Sequence, residues 1–176
     1  MPTVLSHPAV PLAVGLALGQ HIIPRRLLIA GAVASVVPDL DVIGMHMGMH
    51  YPSVFGHRGI THSLLFALAM GLLAALSYAW FETTRPKAFA FIFASTASHG
   101  LLDMMTNGGS GIPLWWPLSN DRFTLPWRVI EVSPLSLEPF LNSAGLILRS
   151  ELFWVWLPSV VFGVVLYGLR MQTRNK

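Results

Sequence analysis

SLLFALAMGLLAALSYAWF, residues 63–81, runs for nineteen positions without a charged side chain. A helix needs about 20 apolar residues to cross the ~30 Å hydrocarbon core of a bilayer, so this stretch reads as a membrane span and the rest of the chain reads outward from it. LFWVWLPSVVFGVVLYGL, residues 152–169, is a second uncharged stretch, of eighteen. Residues 88–105 form a third candidate, interrupted by Ser95, Thr96, Ser98, His99 and Asp103. Residues 8–23 and 27–37 are shorter. At about 1.5 Å per residue the second covers about half the hydrocarbon, and it either continues through Pro38 or stops partway as a broken helix buried against its neighbours. The expectation is an all-α, polytopic membrane protein with four to five membrane helices, a single integral membrane domain over residues 1–176.

Composition agrees. Of 176 residues, 53% are hydrophobic and 11% charged, and the mean hydropathy is +0.60. Soluble domains carry about a quarter charged residues, so an ordinary cytosolic globule is excluded, and disorder with it. The absence of cysteine excludes disulfides, thiol nucleophiles and Cys-ligated zinc. The opening residues lack the basic start of a cleavable signal peptide. The net charge of +3 and pI near 9.8 could suit nucleic acid. Yet Arg25-Arg26, Arg85/Lys87 and Arg170/Arg174/Lys176 each flank an apolar run and form no stripe, so the expected partner is the lipid bilayer and no nucleic acid.

Lysines and arginines mark the cytoplasmic ends of membrane helices. If the helices alternate, all three basic groups fall on that side of the inner membrane. His7, Pro38-Asp39-Leu40-Asp41, His57-Arg58, His62, His99 and Asp103 then collect on the periplasmic side. A re-entrant hairpin of the first two helices would leave the sidedness to the others alone. Residues 106–151, the only long polar stretch, join them there. Asn107-Gly108-Gly109 suits the stop of a helix, and Trp115-Trp116-Pro117 and Pro126-Trp127 suit the membrane–water boundary. The whole stretch reads as an extramembrane loop or short-strand lid.

The ionisable residues carry the chemistry. His99 and Asp103 stand at i, i+4 and share a helix face; inside a membrane helix such groups are expensive and usually functional, although local capping is the plainer account. His57-Arg58-Gly59-Ile60-Thr61-His62-Ser63 is sharper. On a continuous helix His57 and His62 would point about 140° apart, so both can reach one point only if the chain bends at Gly59, with Thr61 or Ser63 capping the next helix. Arg58, a planar fork, suits a phosphate or carboxylate unless it merely snorkels. Asp39 and Asp41, two acids just after an apolar helix, repel each other unless a cation neutralises them. Both can bind one ion only if the backbone unwinds locally, and Asp39 is the better ligand of the two. His7, ahead of Pro8, lies on the same side. His46 and His50, in a Met/Gly-rich connector without an acid, read as structural, and His21 sits at the basic end.

Histidine and aspartate without cysteine suit zinc, with manganese or iron(II) as alternatives. The metal candidates are His7, Asp39, His57, His62, His99 and Asp103, enough for one ion or for two about 3.5–4 Å apart. Asp41 is the candidate base orienting water, and Arg58 or Arg122 would hold an anionic substrate group. Serine-hydrolase, P-loop and zincin motifs are absent.

In order and spacing, His7, Pro38-Asp39-Leu40-Asp41, His57 to Ser63, Ser98-His99-Gly100-Leu101-Leu102-Asp103, Asn107-Gly108-Gly109 and Pro117-Leu118-Ser119-Asn120-Asp121-Arg122-Phe123 resemble the YdjM-like family of bacterial inner-membrane proteins, commonly described as metal-dependent hydrolases. The chain is also distantly similar to zinc-dependent phospholipase C and P1-type nucleases, which implies phosphoester hydrolysis. The expected function is a membrane-embedded metal-dependent hydrolase of a phosphoester or lipid-like substrate. Two other readings stay open: an ion- or proton-coupled transporter, and a scaffold in which metal only pins helices together. Oligomeric state is not written in these residues.

Overall fold

Prolines and serines set where the apolar runs become helices. In the computed structural model, which describes residues 1–51 and 53–174, α1 (Ala9–Leu18) follows Pro8 and α2 (Arg25–Ala34) follows Pro24. α5 (Arg85–Met104) carries proline in its first turn, where a missing N–H costs no helical bond. Before them in the second half of the bundle comes α4 (Leu64–Leu76), capped by Ser63, whose Oγ accepts from the Phe66 N–H at 3.2 Å. Between α2 and α4 lie a 3-10 turn (Val37–Asp41), a short α3 (Val42–His46) and a second 3-10 turn (Ile60–His62). The side chain of His46, and Lys176, lie outside the described residues.

Two expectations change. Residues 106–151 are irregular only as far as Ser136, and Leu137–Glu151 form α6. Leucines at 137, 141, 146 and 148 favour a helix that the polar residues among them disguise. A π-helical turn (Leu152–Trp156) joins α6 to α7 (Leu157–Arg174). The resulting helix, Leu137–Thr173, has 37 residues and a length of about 55 Å. Among the described residues it alone is long and apolar enough to cross a bilayer; α2 with Val37–Met45, bent by 41°, makes a second if the pair is one broken span. Length and apolarity thus mark one spanning helix among the described residues, or two with the bent pair, and do not establish the four to five membrane helices expected. Residues 63–81 stop being helical after Leu76 because polar contacts fasten the turn that follows: Arg26 donates to the Trp80 carbonyl at 3.1 Å and pairs with Glu82 at 3.0 Å. The remaining helices are nevertheless studded outside with exposed apolar side chains, among them Leu68, Leu72 and Leu73 on α4 and Val160, Val161, Val164 and Val165 on α7. Surface of that kind requires lipid or a partner against it.

Successive long helices alternate in direction and α1 runs parallel to α7, with Ser6 beside Trp156, Ala13 beside Gly163 and Ala17 beside Arg170, which sorts the polar groups by end. At one end Arg170 donates to the Ala17 carbonyl at 3.1 Å and Arg85 lies 5.1 Å over the Tyr78 ring. α1 packs so closely on α7 there that a Cβ on Gly163 would stand 3.0 Å from the Ala13 carbonyl oxygen. Next comes an apolar layer of Ile23, Leu27, Ala34, Ala74, Phe81, Ala88, Phe91 and Ile92. Ser95 and Thr96, facing this layer on α5, return their hydroxyls to their own helix, to the Phe91 and Ile92 carbonyls at 2.7 and 2.9 Å. The histidines and aspartates lie at the far end. Among the described residues no β-strand forms, only isolated bridges of Thr106 to Ile130 and Ile112 to Phe123.

Candidate metal centre

His99, on the last turns of α5, is fully buried, and its Nδ1 lies 2.7 Å from the Ser35 carbonyl at the end of α2. A carbonyl only accepts, so Nδ1 carries the proton and Nε2 presents a bare lone pair. His62 ends the second 3-10 turn. Its Nδ1 lies 3.3 Å from Asp41 Oδ2 and 3.0 Å from Thr61 Oγ1, and Thr61 donates its own proton to Asp41 at 2.7 Å. The only consistent assignment again puts the proton on Nδ1. The two Nε2 atoms then face each other at 3.0 Å, and in the neutral rings each presents a lone pair there. Two nitrogens bound to one tetrahedral zinc at ~2.0–2.1 Å lie about 3.3 Å apart.

Two carboxylates complete the cluster. Asp39 Oδ1 is 3.4 Å from His99 Nε2 and 3.9 Å from His62 Nε2, while Asp39 Oδ2 is 3.6 Å from His7 Nε2. Asp103 Oδ2 is 3.3 Å from His62 Nε2, and Asp103 Oδ1 is 3.9 Å from His7 Nε2. The His7 ring stacks on that of His99 with centroids 3.7 Å apart. All five side chains are buried. Neither oxygen of Asp39 or Asp103, and neither ring nitrogen of His7, has a hydrogen bond. Burying charge costs several kcal/mol per ion; Arg58 Nε lies 3.1 Å from Asp103 Oδ2, while Asp39 has only histidine nitrogens near it, at 3.4–3.9 Å, a setting that a bound cation would suit. His7, His99 and Asp103 offer one set of ligand atoms within 4.8 Å of one another, and Asp39, His62 and His99 a second. The two sets share His99, so the five residues would hold an ion together.

Three of the expected roles change. His57 does not join the ligands: its Nδ1 is held by Asp41 Oδ1 at 2.7 Å, and its ring lies 5.9 Å from that of His62 at 90°. Asp41, expected to act on water, is instead the bridge behind the site, one oxygen on His57 and the other on Thr61 and His62. The 3-10 turn provides the unwinding that Asp39 and Asp41 required and sends them to different depths. Arg58, expected to hold a substrate anion, is fully buried and wholly engaged. Nε pairs with Asp103 Oδ2 at 3.1 Å, Nη1 donates to the Gly108 carbonyl at 3.0 Å and Nη2 to Thr106 Oγ1 at 2.8 Å. α5 ends at Met104, before Asn107-Gly108-Gly109. Gly109, at φ +86, serves Arg58 instead of the helix: a Cβ there would lie 2.2 Å from Arg58 Nη1.

Sequence reading missed Ser35, Thr61, Thr106 and Glu151. Their one visible signal is polarity beside apolar runs; nothing local gives the partner. Glu151, buried at the start of the π-helical turn, accepts from the Thr3 N–H, from Thr3 Oγ1 at 2.7 Å and from Ser6 Oγ at 2.6 Å, and Trp156 Nε1 donates to Ser6 Oγ at 3.1 Å. His7 has no hydrogen bond of its own, so this clamp on the preceding residues orients it. Glu151→Ala is expected to speed amide exchange over residues 3–9, by mass spectrometry, while exchange in α4 and α5 stays as in the wild type; unaltered exchange at 3–9 would show the clamp to be idle.

None of the five donors lines the cleft nearest to them among the described residues. That cleft, of about 260 Å³ and lined by Asp41, Thr61, Gly44, Met49, Val54 and Phe55 among others, reaches the carboxylate directly behind His62. His50 takes no part in the cluster, and His21 stands exposed near the basic end.

The family model described as the YdjM inner membrane protein matches residues 1–175. The chain is 45% identical to the inner membrane protein YbcI of Escherichia coli, over 99% of this chain and all of that one. It is 32% identical to the inner membrane protein YdjM of the same organism, over 78% of this chain and 67% of the relative. It is 33% identical to the Bacillus subtilis protein YvsG, over 72% and 77% respectively. No solved structure matches, so the similarity to phospholipase C and P1-type nucleases gains no support from known folds.

Proposed function

This chain belongs to the YdjM family of inner membrane proteins, and from that premise we propose that it is a metal-dependent hydrolase of a phosphoester or lipid-like substrate. Its metal centre would sit at the periplasmic end of a multi-pass helical bundle. The observation that carries the reading is the pair of Nε2 atoms 3.0 Å apart, flanked by two buried carboxylates whose oxygens have no hydrogen bond. His7, Asp39, His62, His99 and Asp103 hold one or two divalent ions, zinc in first place and manganese or iron(II) as alternatives. Bound there, the ion supplies Lewis acidity and lowers the pKa of its water toward neutrality. Ser35 and Asp41 fix the tautomers of His99 and His62, as carboxylates and carbonyls behind metal-bound histidines commonly do. The cleft beside Asp41 and Thr61 ends one residue short of the donors, so substrate would have to displace the turn that carries Thr61 and His62; its apolar walls of Met49, Val54 and Phe55 suit a substrate with a hydrocarbon part. With arginine, tryptophan and tyrosine contacts gathered at the opposite end, the basic face lies in the cytoplasm. The unbroken apolar layer beneath the site supports hydrolysis over ion conduction.

The full burial of the ligands favours a second reading, in which the metal pins α5, the two 3-10 turns and the segment ahead of α1 together and turns nothing over. The two separate on one preparation. Purified protein is assayed for metal by mass spectrometry, and for release of phosphate-bearing product from phospholipid vesicles and from a chromogenic phosphodiester, before and after chelation and in His62→Ala. A hydrolase shows turnover that chelation and His62→Ala abolish and that added zinc restores in the wild type. Stoichiometric metal, unfolding on chelation and no turnover would leave the pin. Absence of metal would end both.

A further inference from the structure

A second cleft lies away from the metal centre. It measures about 520 Å³ and lies between residues 129–131 and one face of the long helix, lined by Val129, Glu131, Leu146, Arg149, Ser150, Phe153 and Trp154. Its position is set by the sequence. Leu146, Arg149, Ser150, Phe153 and Trp154 fall at i, i+3, i+4, i+7 and i+8 and so share a helix face. Arg149 is the last basic residue before the eighteen-residue uncharged run that opens at Leu152, which places it at the level where a spanning helix leaves the hydrocarbon. Phe153 and Trp154 lie one turn deeper, half exposed toward lipid.

The two charges in the cleft do not neutralise each other. Arg149 has no hydrogen bond or ion pair among the described residues. Glu131 is held in place: its N–H donates to Ser150 Oγ at 2.8 Å and one carboxylate oxygen accepts from Asn107 Nδ2 at 2.7 Å, leaving the other oxygen free. A cation and an anion fixed on opposite walls of a boundary-level cleft, over aromatic and aliphatic side chains, complement a ligand that carries both charges and a hydrocarbon tail.

We propose that this cleft binds a zwitterionic phospholipid with a primary ammonium: the phosphate on the Arg149 guanidinium, the ammonium on Glu131, and the acyl region against Leu146, Phe153 and Trp154. A guanidinium fork fits phosphate oxygens, and a primary ammonium brings three N–H donors to a carboxylate where a trimethylated head group brings none. The site owes nothing to the metal and stands whether or not the centre catalyses.

The test is native mass spectrometry of the purified protein released from detergent after incubation with equimolar phosphatidylethanolamine, phosphatidylglycerol and phosphatidylcholine of matched chains. One phosphatidylethanolamine is expected to be retained per chain, ahead of the other two. Arg149→Ala should cut its retention about tenfold, the loss of one charge-assisted contact. Glu131→Gln, which keeps an acceptor for Asn107, should erase the preference for phosphatidylethanolamine over phosphatidylglycerol while retention of a lipid persists. Soluble phosphoethanolamine at the same concentration should not compete, because the apolar walls then contribute nothing. Equal retention of the three lipids by the wild type, or a preference untouched by both substitutions, overturns the proposal, and displacement by soluble phosphoethanolamine overturns the lipid as its source.

Discussion

His99→Ala is expected to weaken metal binding more than any substitution behind the ligands, because His99 belongs to both sets of ligand atoms. Zinc bound in folded sites is worth about 10–16 kcal/mol, so each of four or five ligands accounts for about 2–4 kcal/mol of it and deleting one weakens binding roughly 30- to 700-fold. Equilibrium dialysis of zinc against the purified wild type and variant measures this directly. His57→Ala supplies the contrast. That ring contacts Asp41 and no ligand atom, so its effect passes through the orientation of His62 and is limited to about 10–100-fold, the range of groups behind the ligands. Should His57→Ala release zinc as completely as His99→Ala, His57 would be a ligand after all and the grouping of donors given above would be wrong. His50→Ala, in the connector, should leave the metal untouched.

The convergence of histidine and aspartate at one end of the bundle was legible in the sequence because it follows from parity alone. Each apolar run reverses direction, the basic residues choose one end, and His7, Asp39, His62, His99 and Asp103 are left at the other. The depth of each group was not legible. Whether His57 or His62 reaches the cluster depends on how the 3-10 turn after Gly59 rotates, and Asp41 sits behind the site because the other 3-10 turn, Val37–Asp41, sends its two carboxylates to different levels. Span lengths misled for a related reason. The turn after Leu76 is fixed by Arg26 reaching Trp80 and Glu82 across 54 and 56 residues of chain, and hydropathy in a window cannot contain that contact. Leu137–Glu151 was read as loop because its polar residues hid a helix that continues directly into the membrane segment.

Arg58→Ala is expected to destabilise the fold, whatever the substrate. The guanidinium is fully buried and bonds the Asp103 carboxylate, the Gly108 carbonyl and the Thr106 hydroxyl together, while the Arg58 carbonyl accepts from Arg122 at 3.1 Å. Removing one partner of a buried ion pair costs about 3–5 kcal/mol because the other charge is left uncompensated, here the carboxylate of a proposed metal ligand. At about 2–4 °C per kcal/mol for a chain of this size, the thermal midpoint should fall by roughly 6–20 °C. Arg58→Lys should recover only part of this, since an ammonium can meet Asp103 but cannot span three acceptors in one plane. Gly109→Ala should resemble Arg58→Ala in kind, because its Cβ would occupy the space of Nη1 and because φ is +86 there. The backbone at Arg58 is itself in the left-handed region, at φ 60, a conformation that non-glycine residues hold only where their surroundings over-determine it. Were Arg58→Ala instead to keep its thermal midpoint and raise only the KM for an anionic substrate, the guanidinium would be free to meet that substrate. The closed network around Asp103 would then not exist as described.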